Sequence, residues 1–231
     1  MIGLAWRSWG CGSTTWLPEN HAETSAGLSR ILSAARNDYF ACHGRPELTI
    51  GEGFPGVLDA ARAGAPWAFE RLYSDLAPPV AGYLRLQGAT EPDDVTSEVF
   101  LGVFTGLNSF DGTEAQFRSW VFTIAHRKLI DERRRLARRR WSPAGDLVDF
   151  DQTGGDVELD ALDVLGSQRI IGLCGNLSAD QREVLILRVV GDLTVDQVAS
   201  IVGKSCGAVK ALQRRALSSL RQQLEKEGVT L

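Results

Sequence analysis

The stretch that most constrains this chain is Phe117 to Arg140, FRSWVFTIAHRKLIDERRRLARRR. Phe117, Trp120, Val121, Ile124, Ala125 and Leu129 recur at helical spacing, so its first half predicts a helix with one face in a core. Arg127, Lys128, Arg133, Arg134, Arg135, Arg138, Arg139 and Arg140 follow, opposed only by Asp131 and Glu132. A helix anchored at one end and cationic at the other suits a polyanion. A merely solvated, charge-rich helix end is the bland alternative, and the flanking sequence decides between them.

The formal net charge of −4 argues against nucleic acid only as an average. Residues 53–140 carry twelve basic and eleven acidic side chains, and residues 170–231 carry eight and six. Residues 141–169 carry one and seven, so the acid lies between two segments that each hold a cationic cluster. Cys11, Cys42, Cys174 and Cys206 form no CxxC pair, and His21, His43 and His126 complete no zinc spacing. Free thiols, no metal and no cofactor are therefore expected. No apolar run reaches the ~18 residues that span a bilayer, and the start lacks a signal-peptide pattern, so the expected location is cytoplasmic.

Residues 1–52 read as an N-terminal extension. Trp6, Trp9 and Trp16 precede a helical pattern at about 25–37, and both a loosely ordered tail and a partner-binding segment stay open. From Phe54 the spacing is helical throughout. Val57, Leu58 and Ala61 form one stripe; Phe69, Leu72, Tyr73 and Leu76 form another, which Pro78 and Pro79 are expected to interrupt. Asp93 or Asp94 is the expected cap of a helix over about 94–107, and NSFDG (108–112) is turn chemistry. Residues 141–169, with Pro143, Gly145, Gly154 and Gly155, have linker composition. Beyond the linker, Ser178–Gln181 and Thr194–Gln197 are capping boxes, Gly203 suits a left-handed turn, and Ser205 suits an N-cap. A short helix, a glycine turn and a helix bearing Lys210, Arg214 and Arg215 predict a helix-turn-helix, with a plain helical hairpin as the alternative. The fold expected is all-α: two small helical domains, 53–140 and 170–226, joined by a flexible acidic linker, with 227–231 as a tail.

EPDDVTSEVFLGVFTGLNSFDG with FRSWVFTIAHRKLIDERRR, and LSADQREVLILRVVGDLTVDQVASIVGKSCGAVKALQRRALSSLR, together resemble a bacterial RNA polymerase sigma factor of the extracytoplasmic-function (ECF, group 4) type. The first pair resembles sigma region 2 and the last segment region 4. The resemblance implies core polymerase docking, on the clamp and flap regions, with Asp94, Val95, Glu98 and Phe100 at the clamp. It implies capture of a single-stranded −10 element by Asn108, Ser109, Asp111, Arg118, Arg127, Lys128, Arg134 and Arg135. Lys204, Ser205, Gly207, Lys210, Ala211, Arg214 and Arg215 would face a duplex −35 element, and an anti-sigma factor is an expected partner. The sequence departs from the usual pattern at Ser97, where Gln is common, at Arg127, where Asn is frequent, in the 112–117 segment, which runs one residue long, and at Ala211, Leu212 and Gln213, where a small hydroxyl, a basic and an apolar residue are usual.

The function implied is a promoter-specific initiation factor and not an enzyme, since no Walker loop, GxSxG or metal spacing appears. Two rivals remain at this stage: a stand-alone helix-turn-helix regulator, and an adaptor that keeps polymerase contact without promoter reading.

Overall fold

The computed structural model describes residues 50–141 and 170–226, with side-chain surroundings given through Arg138 in the first stretch. Of the segments expected above, residues 1–49 of the N-terminal extension with its helical pattern at 25–37, residues 142–169 of the linker and the tail at 227–231 lie outside the described residues. Among those described there are helices and turns and no strand. No described helix is long and apolar enough to cross a membrane.

Helix α1 (Phe54–Arg62), α2 (Pro66–Leu86), α3 (Pro92–Gly106) and α4 (Glu114–Trp141) make the first group. Each of the first three has proline at its opening positions, where the missing N–H costs nothing. Pro78 and Pro79 do not break α2, contrary to the sequence expectation. They withhold the N–H donors that would meet the carbonyls of residues 74 and 75, a cost of about 3 kcal/mol for a helix-interior proline. Leu72, Leu76, Val80 and Leu84, one turn apart along a single face, are each at most 4% exposed. Burying each of them contributes about 1.5–3 kcal/mol, so the packed face carries the helix through the prolines.

Helix α3 also starts differently from expectation. Glu91 is its N-cap residue and makes no side-chain cap bond, while Asp93 and Asp94 sit inside the first turn. Carboxylates there favour the helix dipole without capping it, and Asp93 also accepts a 2.6 Å bond from Arg85. Helix α4 begins at Glu114, behind a reciprocal cap: Thr113 N–H donates to Gln116 Oε1 (2.8 Å), and Gln116 N–H to Thr113 Oγ1 (3.4 Å). Trp141 closes α4 rather than opening the linker. Tyr83, Val99, Val103, Phe117, Val121, Phe122, Ala125 and Leu129 fill the core where α2, α3 and α4 meet.

A helical turn at residues 170–175 precedes α5 (Ala179–Val189), α6 (Val195–Val202) and α7 (Cys206–Lys226). Both expected capping boxes form, from Ser178 with Gln181 and from Thr194 with Gln197. Gly203 ends α6 at φ 67°, ψ 31°, a left-handed conformation that a Cβ would strain. Ser205 Oγ accepts a 3.2 Å bond from Ala208 N–H and so caps α7.

Candidate nucleic-acid and polymerase interface

On α3 the burial pattern separates a packed face from an offered one. Val95 and Phe100, expected at a docking face, turn inward at 5% and 2% exposure. The Phe100 ring packs on Tyr73 (centroids 4.8 Å apart) and Phe104 (5.7 Å). The outer face presents Asp94, Ser97, half-exposed Glu98 and Leu101, an apolar side chain 70% exposed. Leu101 escaped the sequence reading because Val99, Phe100 and Leu101 run consecutively. A helix can bury at most part of such a run, which was the available signal.

The turn after α3 carries the next polar set. Asn108, Ser109 and Asp111 are exposed, and Ser109 Oγ donates to the Gly106 carbonyl at 2.7 Å. Phe110 pins this turn by stacking on Trp120 (5.2 Å, interplanar 23°) and meeting Phe117 edge-on (5.1 Å). Arg62 donates to the Phe110 carbonyl from below. A Cβ at Gly112 would lie 2.6 Å from Gln116 Oε1, so a larger residue there would push that side chain off the Thr113 N–H it accepts from. A fixed turn showing an amide, a hydroxyl and a carboxylate can hydrogen-bond the edge of an unstacked base.

Along α4 the cations divide. Arg127, Arg134, Arg135 and Arg138 are exposed, with Arg134 in only a weak surface pair with Asp131 (3.6 Å). Lys128 Nζ lies 2.9 Å from Glu98 Oε2, so the structure joins a residue expected at DNA to one expected at polymerase. That hydrogen bond, with further help from the Lys128 and Arg135 charges, holds the Glu98 carboxyl below the usual range against slight desolvation. Arg133 is occupied by the Gln87 carbonyl (2.6 Å) and side chain (3.2 Å). Arg118 departs furthest from expectation: it is 5% exposed and 3.8 Å from Glu114, whose carboxylate also accepts from the N–H groups of Ile50 and Gly51. Burial lowers the Arg118 pKa, and Asp192, Glu114 and Asp75 oppose that shift. Arg118 is a core cation in this structure and offers no phosphate a surface.

In the second group, α6, the Gly203 turn and α7 form the helix-turn-helix. Val209, Ala216, Leu220 and Leu224 of α7 face inward. Ser205, Gly207, Lys210, Arg214 and Arg215 are exposed, and Ala211 is half-buried beside them. Lys204 is half-buried and paired with Asp180 at 3.0 Å. Polar and cationic groups at the first turns of α7 suit major-groove edges and flanking phosphates.

Comparisons with known proteins agree with this geometry. Residues 72–139 match the Sigma-70 region 2 family and residues 175–222 match the Sigma-70, region 4 family. The chain is 32% identical over 190 residues to the ECF RNA polymerase sigma factor SigD of Mycobacterium tuberculosis, covering 79% of this chain and 90% of that one. It is 29% identical over 174 residues to the ECF sigma factor BldN of Streptomyces coelicolor, covering 74% and 66%. Among solved structures it is similar to CnrH in complex with the cytosolic domain of CnrY, at TM-score 0.53 and 25% identity over 74% of this chain and 96% of that one. The sigma factor RpoE in complex with the anti-sigma factor NepR, from Bartonella quintana, shares the fold at TM-score 0.53 and 20% identity, over 68% and 96%. With both regions matched in order around a pinned polar turn, a cationic helix and a helix-turn-helix, the chain belongs to the sigma-70 family of RNA polymerase sigma factors, in its ECF group.

Proposed function

We propose that this chain is a dissociable initiation factor that binds core RNA polymerase and directs it to a −35/−10 promoter pair. The observation that carries the reading is the pairing, on one chain, of the exposed polar turn leading into cationic α4 with the exposed basic start of α7. Polymerase docking is assigned to the outer face of α3, through Asp94, Glu98 and Leu101, on the basic clamp of the largest subunit. Asn108, Ser109 and Asp111 hold an extruded non-template base, and Arg127, Arg134 and Arg135, with Lys128 once released from Glu98, track the strand's phosphates. Ser205, Gly207, Lys210, Ala211, Arg214 and Arg215, with Lys204 once released from Asp180, read the −35 duplex. Bond chemistry belongs to the polymerase, the factor acts in the cytoplasm, and an anti-sigma protein holds it in reserve. The solved complexes of CnrH with CnrY and of RpoE with NepR support that last partner by likeness.

The test is transcription in vitro by sigma-free bacterial core polymerase on fragmented genomic template, with and without this protein. Discrete new transcripts sharing an upstream −35/−10 pair are expected. Core binding without transcripts would leave an adaptor, and duplex binding without core binding would leave a stand-alone regulator.

A further inference from the structure

A groove opens between α1 and the segment 111–114, distinct from the edge of the turn that Asn108 and Ser109 present. It encloses about 490 Å³, room for a flat ring system the size of a nucleobase. Phe54, Pro55 and Leu58 line it with apolar surface, and Glu52, Asp59 and Asp111 bring exposed carboxylates to it. Its two walls are tied to each other. The Glu114 carboxylate accepts from Ile50 N–H (2.6 Å) and Gly51 N–H (3.0 Å), and so holds the single turn Gly51–Gly53 against the start of α4. Arg62, the last residue of α1, donates to the Phe110 carbonyl and to Asp59 Oδ1 (3.1 Å). The groove therefore exists before anything enters it, which spares a ligand the cost of ordering it.

The charges select the occupant. Arg62 is the only cation lining the groove, and its guanidinium already serves Asp59 and Phe110. The Glu52 and Asp111 carboxylates have no hydrogen-bond or ionic partner among the described residues. Carboxylates repel a phosphate, so the backbone of a nucleic acid stays outside and only a base edge enters. A carboxylate accepts hydrogen bonds and donates none. On an unpaired strand, guanine, adenine and cytosine each present an exocyclic amine that donates to it, whereas thymine presents one N–H between two carbonyls that a carboxylate repels. The apolar surface of Phe54, Pro55 and Leu58 supplies the contact for the ring itself. Asp111 belongs to both the base-reading turn and the groove, so a strand with one base at that turn passes the groove with another.

We propose that this groove is a second base pocket, which takes a further unpaired base of the non-template strand, one bearing an exocyclic amine, and rejects thymine. This deepens the promoter reading above and rests on it. The test uses holoenzyme assembled from core polymerase and the full chain, with a non-template oligonucleotide spanning the −10 element of a promoter found in the transcription assay. Each guanine, adenine and cytosine is replaced in turn by hypoxanthine, purine and 2-pyrimidinone, which keep the ring and lose the amine. Affinity is read by fluorescence anisotropy. Asn108→Ala marks the base held at the turn, because sensitivity there falls in that variant. At one other position, loss of the amine is expected to weaken binding by the unaltered holoenzyme about tenfold, as loss of a hydrogen bond to a charged group does. Glu52→Ala and Asp59→Ala abolish that difference at the same position, and their melting temperatures match the unaltered protein because both side chains are exposed. Asp59 also meets Arg62, so Glu52→Ala keeps the test sound should the Asp59 variant shift the turn. Amine sensitivity that neither variant alters overturns the pocket. Weakened core binding in these variants with base sensitivity unchanged overturns it too, and gives the groove to a cationic side chain of a protein partner. Failure of the promoter reading itself looks different: holoenzyme that binds no −10 strand at all, which removes the pocket with it.

Discussion

Replacing Arg134 and Arg135 together by Ala separates phosphate contact from core packing along one helix. Both side chains are exposed on α4, and neither supports a buried neighbour. For single-stranded nucleic acid each neutralised phosphate contributes about 0.7 to the slope of log affinity against log salt, so losing two lowers that slope by about 1.4. Over a fourfold salt step, from about 50 to 200 mM, affinity of the unaltered holoenzyme then falls roughly sevenfold more than that of the variant. The assay is fluorescence anisotropy of holoenzyme on a pre-melted −10 probe, with the melting temperature of the free factor followed alongside. Arg118→Met should behave in the opposite way. It leaves the Glu114 carboxylate without its buried counter-charge, costing about 3 kcal/mol, the low end for a broken buried pair because the ions are 3.8 Å apart. That loss corresponds to roughly 5–10 °C in melting temperature, with the salt slope intact. Equal slopes for the unaltered and doubly substituted holoenzymes, or a flattened slope in Arg118→Met, would refute the division of α4 into core and DNA-facing cations.

Leu101→Ala should weaken core polymerase binding about tenfold in a competition assay while leaving thermal stability unchanged; Phe100→Ala, by contrast, should cost about 3–5 kcal/mol of stability. Ser205→Ala removes the oxygen that accepts from Ala208 N–H, and should lower stability by about 1 kcal/mol in a denaturant titration and weaken −35 duplex binding with it. Glu98 predicts a pH effect: its folded-state pKa is depressed, so its stabilisation is present above the ordinary Glu range and lost as pH falls through the depressed value. With the pair half-exposed, the effect is a few tenths of a kcal/mol. An NMR titration should place the Glu98 midpoint lower than in Lys128→Ala, and coincident midpoints would remove the ion pair from the account.

Periodicity in the chain reveals faces, and it does so well where only one face is apolar. The α7 stripe, the two capping boxes and the Gly203 turn were all legible, because each is decided within a few residues of sequence. Helix α3 was not, because Val99, Phe100 and Leu101 are apolar in succession and only tertiary packing decides which of them meets Tyr73. The prolines of α2 were misread for a related reason: a local penalty was outweighed by burial along a face whose partners lie in α3 and α4. Arg118 and Arg134 look alike in a cationic helix, yet one meets Glu114 in the core and the other meets solvent. Ionic partners were the least legible of all. Glu98 with Lys128 spans 30 residues and Glu183 with His126 spans 57, and nothing in either local pattern announces the other half. In the proposed function, the charges that meet DNA are those that folding leaves exposed. Arg127, Arg134 and Arg135 stay exposed, whereas Glu114, Gln87 and Glu98 hold Arg118, Arg133 and Lys128.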